Sequence, residues 1–244
     1  MIEVTYIDHM GSDLSVVNAA RVSFGKKSEW NPKYRDEPPL YEKDEKLIKY
    51  LAKHKHMSPF GHAFASFHVK APIFVARQLV KHKFLRWNEI SRRYVDDEPE
   101  FYNTTEWRGK SADKKQGSDG IVDMVETGRW GPQYPSALAS RYYNHTLHIY
   151  EGMINSGIAP EMARMVLPQS TMTEWYWSGS LDALADMCNL RCTPDTQYES
   201  RVVADQISNK MYDLFPASWE AMLGKRRTSI PKLNTTGKFN YEGE

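Results

Sequence analysis

The sequence predicts a mixed α/β protein, and three observations predict it. Residues 1–8 and 63–69 alternate apolar with polar side chains, the period of strands packed on one face. Residues 43–53 and 137–156 instead repeat apolar side chains every three to four positions, the period of amphipathic helices. Both kinds of segment recur along 244 residues, a length that can bury a sizeable core in one domain.

Ile2, Val4 and Tyr6 place the first strand over residues 1–8. Ser12 or Asp13 can cap a helix that runs through Ala20. Residues 25–41 are polar and proline-rich, a long loop. Leu47, Ile48 and Leu51 share one face of a helix over 43–53. In 63–69, Ala65, Phe67 and Val69 oppose Phe64, Ser66 and His68, as in a strand. Pro72 suits the first turn of a helix, where its missing N–H costs nothing, and that helix is expected to reach about Lys83. Residues 96–136 read as an irregular covering segment, with an insertion at about 103–135. Tyr143, Leu147, Tyr150 and Ile154 mark a helix over 137–156 that Gly157 closes, and Pro160 starts another. Residues 171–177 are aromatic and β-prone, 180–190 are helical, and a last long helix opens at Pro194 and reaches about Leu214. Residues 1–224 are expected to form one domain, followed by a polar tail at 225–244.

Composition narrows the function. Hydrophobic residues at 41% and charged residues at 26% are ordinary for a soluble globular protein. No apolar run approaches the ~20 residues that span a bilayer, and the first residues carry no secretory pattern, so a cytoplasmic protein without a membrane partner is expected. Cys188 and Cys192 read as buried free thiols rather than a disulfide or zinc pair. Neither a GxGxxG run after a strand nor a P-loop is present.

Positive charge gathers in residues 74–94, where Arg77, Lys81, Lys83, Arg86, Arg92 and Arg93 stand against one acid, Glu89, in a chain of formal net charge +1. A phosphate or pyrophosphate is the natural partner of such a cluster. A solvated helix face would also explain charges, but Val75, Leu79, Val80, Phe84, Leu85 and Ile90 run through the same stretch. A nucleic-acid module built on Arg77–Arg93 with Trp87 and Tyr94 is disfavoured by the near-neutral total charge, and no nucleic-acid partner is expected. A metal-dependent phosphohydrolase using His54, His56, His62 and His68 is the other alternative. The acidic partners that would complete such a site are missing at recognisable spacing, so no metal is expected.

The pattern Lys81-His82-Lys83, seven residues, Ser91, then Arg93-Tyr94 resembles the signature of flavin-dependent thymidylate synthases. Asn88-Glu89 falls at the family's offsets; both arginines that usually flank the histidine are lysines here, and Arg86 replaces a serine of the spacer. Similar runs are His54 to His62, FHVKAPIFVARQ at 67–78, Ala163 to Pro168, and Leu190-Arg191 followed by Thr196-Gln197-Tyr198-Glu199. The similarity covers roughly residues 1–24, 44–102 and 137–220.

The resemblance implies a thymidylate synthase-complementing-protein-like fold, a sheet flanked by long helices, assembled as a homotetramer with active sites between subunits. It implies conversion of dUMP to dTMP, with methylenetetrahydrofolate as carbon donor, NADPH as reductant and FAD as cofactor. By position it assigns Gln78, Leu79, Val80, Lys81, Glu89, Ile90, Ser91, Arg92, Arg93, Arg164 and Arg191 to the nucleotide. To the flavin it assigns His56, Ser58, Lys81, His82, Lys83, Glu89 and, where the family usually has Asn, Arg and Asn, Ser180, Asp182 and Asp186. Arg191 is the catalytic residue implied: a guanidinium on the pyrimidine favours the ring anion and makes its C5 more nucleophilic. Ser91 has no adjacent base in sequence and is assigned to binding, not nucleophilic attack. If the helix continued past Lys83, Arg86 would project near His82 and Lys83 and supplement their charge.

Overall fold

A computed structural model describes residues 1–33, 39–112 and 118–226. In chain order the elements are β1 (Glu3–Met10), α1 (Asp13–Arg21), α2 (Glu42–Lys53), β2 (Phe64–Pro72), α3 (Ile73–Leu79) and β3 (Arg86–Glu89). Two small ribbons follow, β4 (Arg108–Lys110) with β5 (Ser118–Ile121), and β6 (Val125–Glu126) with β7 (Pro132–Gln133). The remainder is α4 (Pro135–Asn155), α5 (Pro160–Ala163), β8 (Met172–Ser180), α6 (Leu181–Arg191), α7 (Tyr198–Leu214) and α8 (Pro216–Leu223).

The main sheet is antiparallel, in the order β1-β2-β8-β3. Its core face follows from alternation: Ala65, Phe67, Val69 and Ala71 of β2 and Trp175 and Trp177 of β8 are buried, while Ser66, His68, Glu174 and Tyr176 are not. On the open face Ser66 Oγ donates to Ser178 Oγ at 2.8 Å across the strand pair. Against the core face pack Val75 and Leu79 of α3, Leu184 and Met187 of α6, and Val203, Ile207 and Met211 of α7. Burying each such side chain contributes about 1.5–3 kcal/mol before entropy is counted. Among the described residues, no helix is long and apolar enough to cross a membrane.

Four expectations need correction. The helix after Pro72 ends at Leu79, well short of Lys83. Phe84 holds φ at 65°, a left-handed conformation that an α-helix cannot pass through. Arg86 then begins a strand opposite Ser178, so it shares no helix face with His82 and Lys83. The segment after Pro160 is one short helix, followed by a 3₁₀ turn at Arg164–Val166. Residues 96–136 are less irregular than expected, since they hold both ribbons.

The fourth correction is α8, a helix that was not expected. Its N-terminus is capped from α1: Ala217 N and Ser218 N donate to the two Asp13 carboxylate oxygens at 2.8 and 2.9 Å. Trp219 is fully buried beneath it. Of the polar tail, 227–244 lies outside the described residues.

Candidate functional site

Gln78 lies in the last turn of α3, and Arg191 is the last residue of α6. The fold brings them together with His82, which follows in the turn after α3. Arg191 Nε donates to His82 Nε2 at 2.9 Å, and Arg191 Nη2 donates to the Gln78 carbonyl at 3.4 Å. Accepting at Nε2 requires a neutral His82 with its proton on Nδ1. Burial, reinforced by the Arg191 charge, pushes the His82 pKa down to about 4. Burial also lowers the pKa of Arg191, although a guanidinium stays charged at neutral pH. The Leu190 carbonyl beside it accepts from Thr196 Oγ1 at 3.0 Å and Thr193 Oγ1 at 3.1 Å, which fixes the backbone entering Arg191.

Two residues outside the sequence-predicted set hold Gln78. Its amide donates to Gln197 Oε1, and its own Oε1 accepts from Ser200 Oγ at 3.1 Å. Gln197 already lay inside the Thr196-to-Glu199 run. Ser200 had no signal, because its role depends on a contact across 122 positions.

β3 leads to the rest of the expected nucleotide residues. Glu89 accepts from Thr173 Oγ1 at 2.6 Å and from Trp87 Nε1 at 3.0 Å, and Trp87 stacks on Trp175 at 4.3 Å. Ser91 Oγ accepts from Arg93 Nε at 3.1 Å, and the guanidinium lies 4.9 Å over the Tyr94 ring. Arg92 turns instead to Asp97, bonding its carbonyl at 2.6 Å and pairing with its carboxylate at 3.2 Å. The Leu79 side chain is in the core, Val80 N is spent on the Ala76 carbonyl, and Ile90 N on the Glu174 carbonyl. Arg164 is exposed, and among the described residues its Nε donates to the Glu161 carbonyl at 3.2 Å.

The expected flavin residues converge in part. A Cβ added to Gly179 would lie 2.3 Å from Leu85 Cδ2 and 3.5 Å from the Phe84 carbonyl, so the turn after Lys83 runs close alongside the end of β8. There Ser180 pairs with Phe64, just beyond the 3₁₀ turn Ser58–His62, and its hydroxyl donates to Asp182. Lys83, Ser58, Ser180 and Asp182 therefore share one end of the sheet. Asp186 is exposed one turn further along α6. His56 stands apart, its ring 6.1 Å from Tyr50 and 6.4 Å from His54.

Arg21, Lys70, Arg92, Arg108 and Arg226 pair with carboxylates. Among the described residues, Lys81, Lys83, Arg86, Arg93, Arg164 and Arg191 do not. Unneutralised cations gathered this way suit phosphate-bearing ligands. Among the described residues, no group of three or more His, Cys, Asp or Glu side chains is arranged to hold a metal.

The model of the family described as thymidylate synthase complementing protein matches residues 5–217. A flavin-dependent thymidylate synthase of Thermus thermophilus is 37% identical over 89% of this chain and 74% of its own length. Another, from Thermosipho africanus, is 36% identical over 98% of this chain and 92% of its own. Among solved structures, the UMP/dUMP methylase PolB of Streptomyces cacaoi bound with 5-Br dUMP superposes with a TM-score of 0.72 at 31% identity, covering 94% of this chain and 98% of that one. The same methylase bound with 5-Br UMP superposes at 0.68 and 29% identity, over 93% and 96% of the two chains.

Proposed function

The chain belongs to the flavin-dependent thymidylate synthase family, and on that premise we propose that it converts dUMP to dTMP with methylenetetrahydrofolate as carbon donor, NADPH as reductant and FAD as cofactor. The observation that carries this reading is the Arg191–His82–Gln78 group, bordered in sequence by Lys81 and Lys83, which pair with no carboxylate among the described residues. Two segments over 100 positions apart in sequence, the end of α3 with its turn and the end of α6, meet there.

The residues fit both ligands. Lys81, Arg93 and Arg164 hold the nucleotide phosphate, with Gln78 and the Ser91–Arg93 segment beside it. Arg191 faces the pyrimidine edge and stabilises negative charge on the ring, which raises electron density at C5. His82, neutral and accepting, keeps the Arg191 fork aimed while leaving its full charge for the substrate. Glu89 has both oxygens engaged, so it contributes as an oriented acceptor rather than a mobile base.

FAD fits the donor set at the other end of the turn. Lys81 and Lys83 supply charge for its pyrophosphate, and Ser58, Ser180, Asp182 and Asp186 supply polar edges, while His56, which stands apart, would reach the flavin from a different side. When bound, the flavin supplies hydride chemistry that no side chain here provides. The assembly proposed is a homotetramer with sites between subunits, acting in the cytoplasm. Support comes from Phe84, which is 84% exposed in the turn beside Lys83 and calls for a covering partner.

Purified protein should show flavin absorption bands and form dTMP from dUMP, methylenetetrahydrofolate and NADPH. A colourless protein that forms no dTMP after FAD is added would overturn the reading. A second substrate belongs in the same assay, because both PolB structures come from a methylase named for UMP as well as dUMP. A kcat/KM for UMP within about tenfold of that for dUMP, a difference of ~1.4 kcal/mol, would extend the activity to the ribonucleotide.

A further inference from the structure

α6 ends at Arg191 and α7 begins at Tyr198, so residues 192–197 form the turn between them. The last carbonyls of a helix have no partner within it, and the natural donor to that of Leu190 is the N–H four residues on. That residue is Pro194, which has no N–H. Side-chain hydroxyls stand in: Thr196 Oγ1 donates to the Leu190 carbonyl at 3.0 Å and Thr193 Oγ1 at 3.1 Å. Thr196 is buried, whereas Thr193 is half-buried.

Thr196 reaches further than Thr193 because of the residue that follows it. Gln197 Oε1 accepts from the Gln78 amide, and Ser200 in the first turn of α7 donates to Gln78 Oε1 at 3.1 Å. The Gln78 carbonyl accepts in turn from Arg191 Nη2 at 3.4 Å. These contacts close a ring that runs Arg191, Leu190, Thr196, Gln197, Gln78 and back to Arg191. Two of its hydrogen bonds use Gln78 or Arg191 directly, and the third, from Thr196 to Leu190, uses neither. Because a peptide unit is planar, fixing the Leu190 carbonyl also fixes where the N and Cα of Arg191 lie.

We propose that Thr196 is a positioning residue: its hydroxyl closes this ring and sets the distance between the Arg191 guanidinium and the Gln78 side chain. With the hydroxyl gone, Thr193 alone holds the carbonyl, and the hydroxyl link from α6 to the start of α7 is lost. The peptide under Arg191 can then tilt, taking the guanidinium out of line with both Gln78 and His82. The consequence for dUMP rests on the enzymatic reading above; the ring does not. Misplacing a substrate-orienting group by about 1 Å can lower a rate on the order of 10²-fold, so a partial loss of aim is expected to lower it about tenfold.

The test uses the full-length protein loaded with FAD. Thr196→Val removes the hydroxyl at nearly constant volume and should lower kcat for dTMP formation about tenfold, with KM for dUMP changed less than about threefold. That split is expected because the aim of Arg191 matters most once the pyrimidine carries negative charge. Thr196→Ser, which keeps the hydroxyl, should return kcat to within about twofold of the parent. Thr193→Val removes the other donor to the same carbonyl but opens no ring, and should lower kcat less than about threefold. In nitrogen NMR spectra the parent should show His82 as a single tautomer with its proton on Nδ1, and Thr196→Val a mixture of the two. Where Thr196→Val fails to fold, Thr196→Ala is read in the same way. A parent-like kcat without the hydroxyl, or no rescue by serine, overturns the proposal. So do equal effects of Thr193→Val and Thr196→Val, which would reduce both hydroxyls to a helix cap. A parent that forms no dTMP overturns the enzymatic reading alone. The His82 spectra then decide the ring, and a parent spectrum in Thr196→Val overturns it.

Discussion

Arg191 takes its orientation from a neutral histidine instead of a carboxylate. A paired carboxylate would spend the guanidinium charge within the protein, whereas His82 directs it without neutralising it. Lysine keeps the charge but loses the planar fork. Arg191→Lys is therefore expected to lower turnover about 10²-fold, the effect of one lost preorganised contact, while NADPH still reduces the flavin at the parent rate. Stopped-flow flavin reduction beside steady-state dTMP formation separates the two; turnover equal to the parent would remove Arg191 from the chemistry. His82 also gives stability a pH dependence. Its folded pKa is about 4 against an ordinary 6.5, so between those values the unfolded chain takes up a proton that the folded chain refuses. The contribution is complete above pH 6.5 and lost as pH falls towards 4. Denaturant midpoints measured across that window should fall with pH in the parent and fall less steeply in His82→Asn; parallel curves would show that His82 is not the group.

At the scale of elements, the end of β8 and the turn after Lys83 are held together by the absence of a side chain. Gly179→Ala places a methyl group where Leu85 Cδ2 now sits, at 2.3 Å, and Leu85 must yield. Overpacking of this kind costs about 1–3 kcal/mol, and FAD affinity should drop with it because Lys83 moves with the turn. Unaltered FAD affinity in that variant would mean that the turn does not set the flavin site. A second element test concerns Asp13, whose carboxylate supplies the cap of α8 from a distance of over 200 positions. Asp13→Ala should cost about 1–2 kcal/mol and lower Tm by roughly 2–8 °C in a scanning calorimeter.

These elements also mark how far the sequence could be read. β1, β2, β8, α4 and α7 carry their burial pattern as a period, which one chain displays by itself. β3 does not: four residues, RWNE, become a strand because β8 offers them a partner. α3 stops at Leu79, and a helix reaching Arg86 is barred by the positive φ of Phe84, a residue type that gives no warning of it. The candidate site residues were assigned one by one through resemblance, while the Arg191–His82 bond, the Gln197 and Ser200 support of Gln78 and the diversion of Arg92 to Asp97 are long-range or local choices of packing that periodicity does not encode.

Across the whole molecule, several exposed apolar side chains fall close together in sequence at the two ribbons. Ile121, Val122, Met124, Val125 and Trp130, all within or between the two ribbons, are exposed, Trp130 by 70%. Exposed apolar residues gathered within ten positions suit a contact with another molecule. Trp130→Asp is expected to shift the oligomer measured by light scattering towards smaller species; an unchanged mass would free this surface of that role. The shared bond between Arg191 and His82 has one more consequence, and it concerns accounting rather than shape. In the proposed assignment one partner of the bond serves the pyrimidine and the other the flavin, so each ligand would meet a group whose position the other has biased. Thermodynamics then demands reciprocity: the factor by which dUMP changes the FAD dissociation constant must equal the factor by which FAD changes that of dUMP. Couplings of this kind are typically about 5- to 150-fold, and His82→Asn should bring the factor towards unity even where both ligands still bind. The two half-reactions of such an enzyme would thus be paired before any electron moves, by a cooperativity written into a single hydrogen bond.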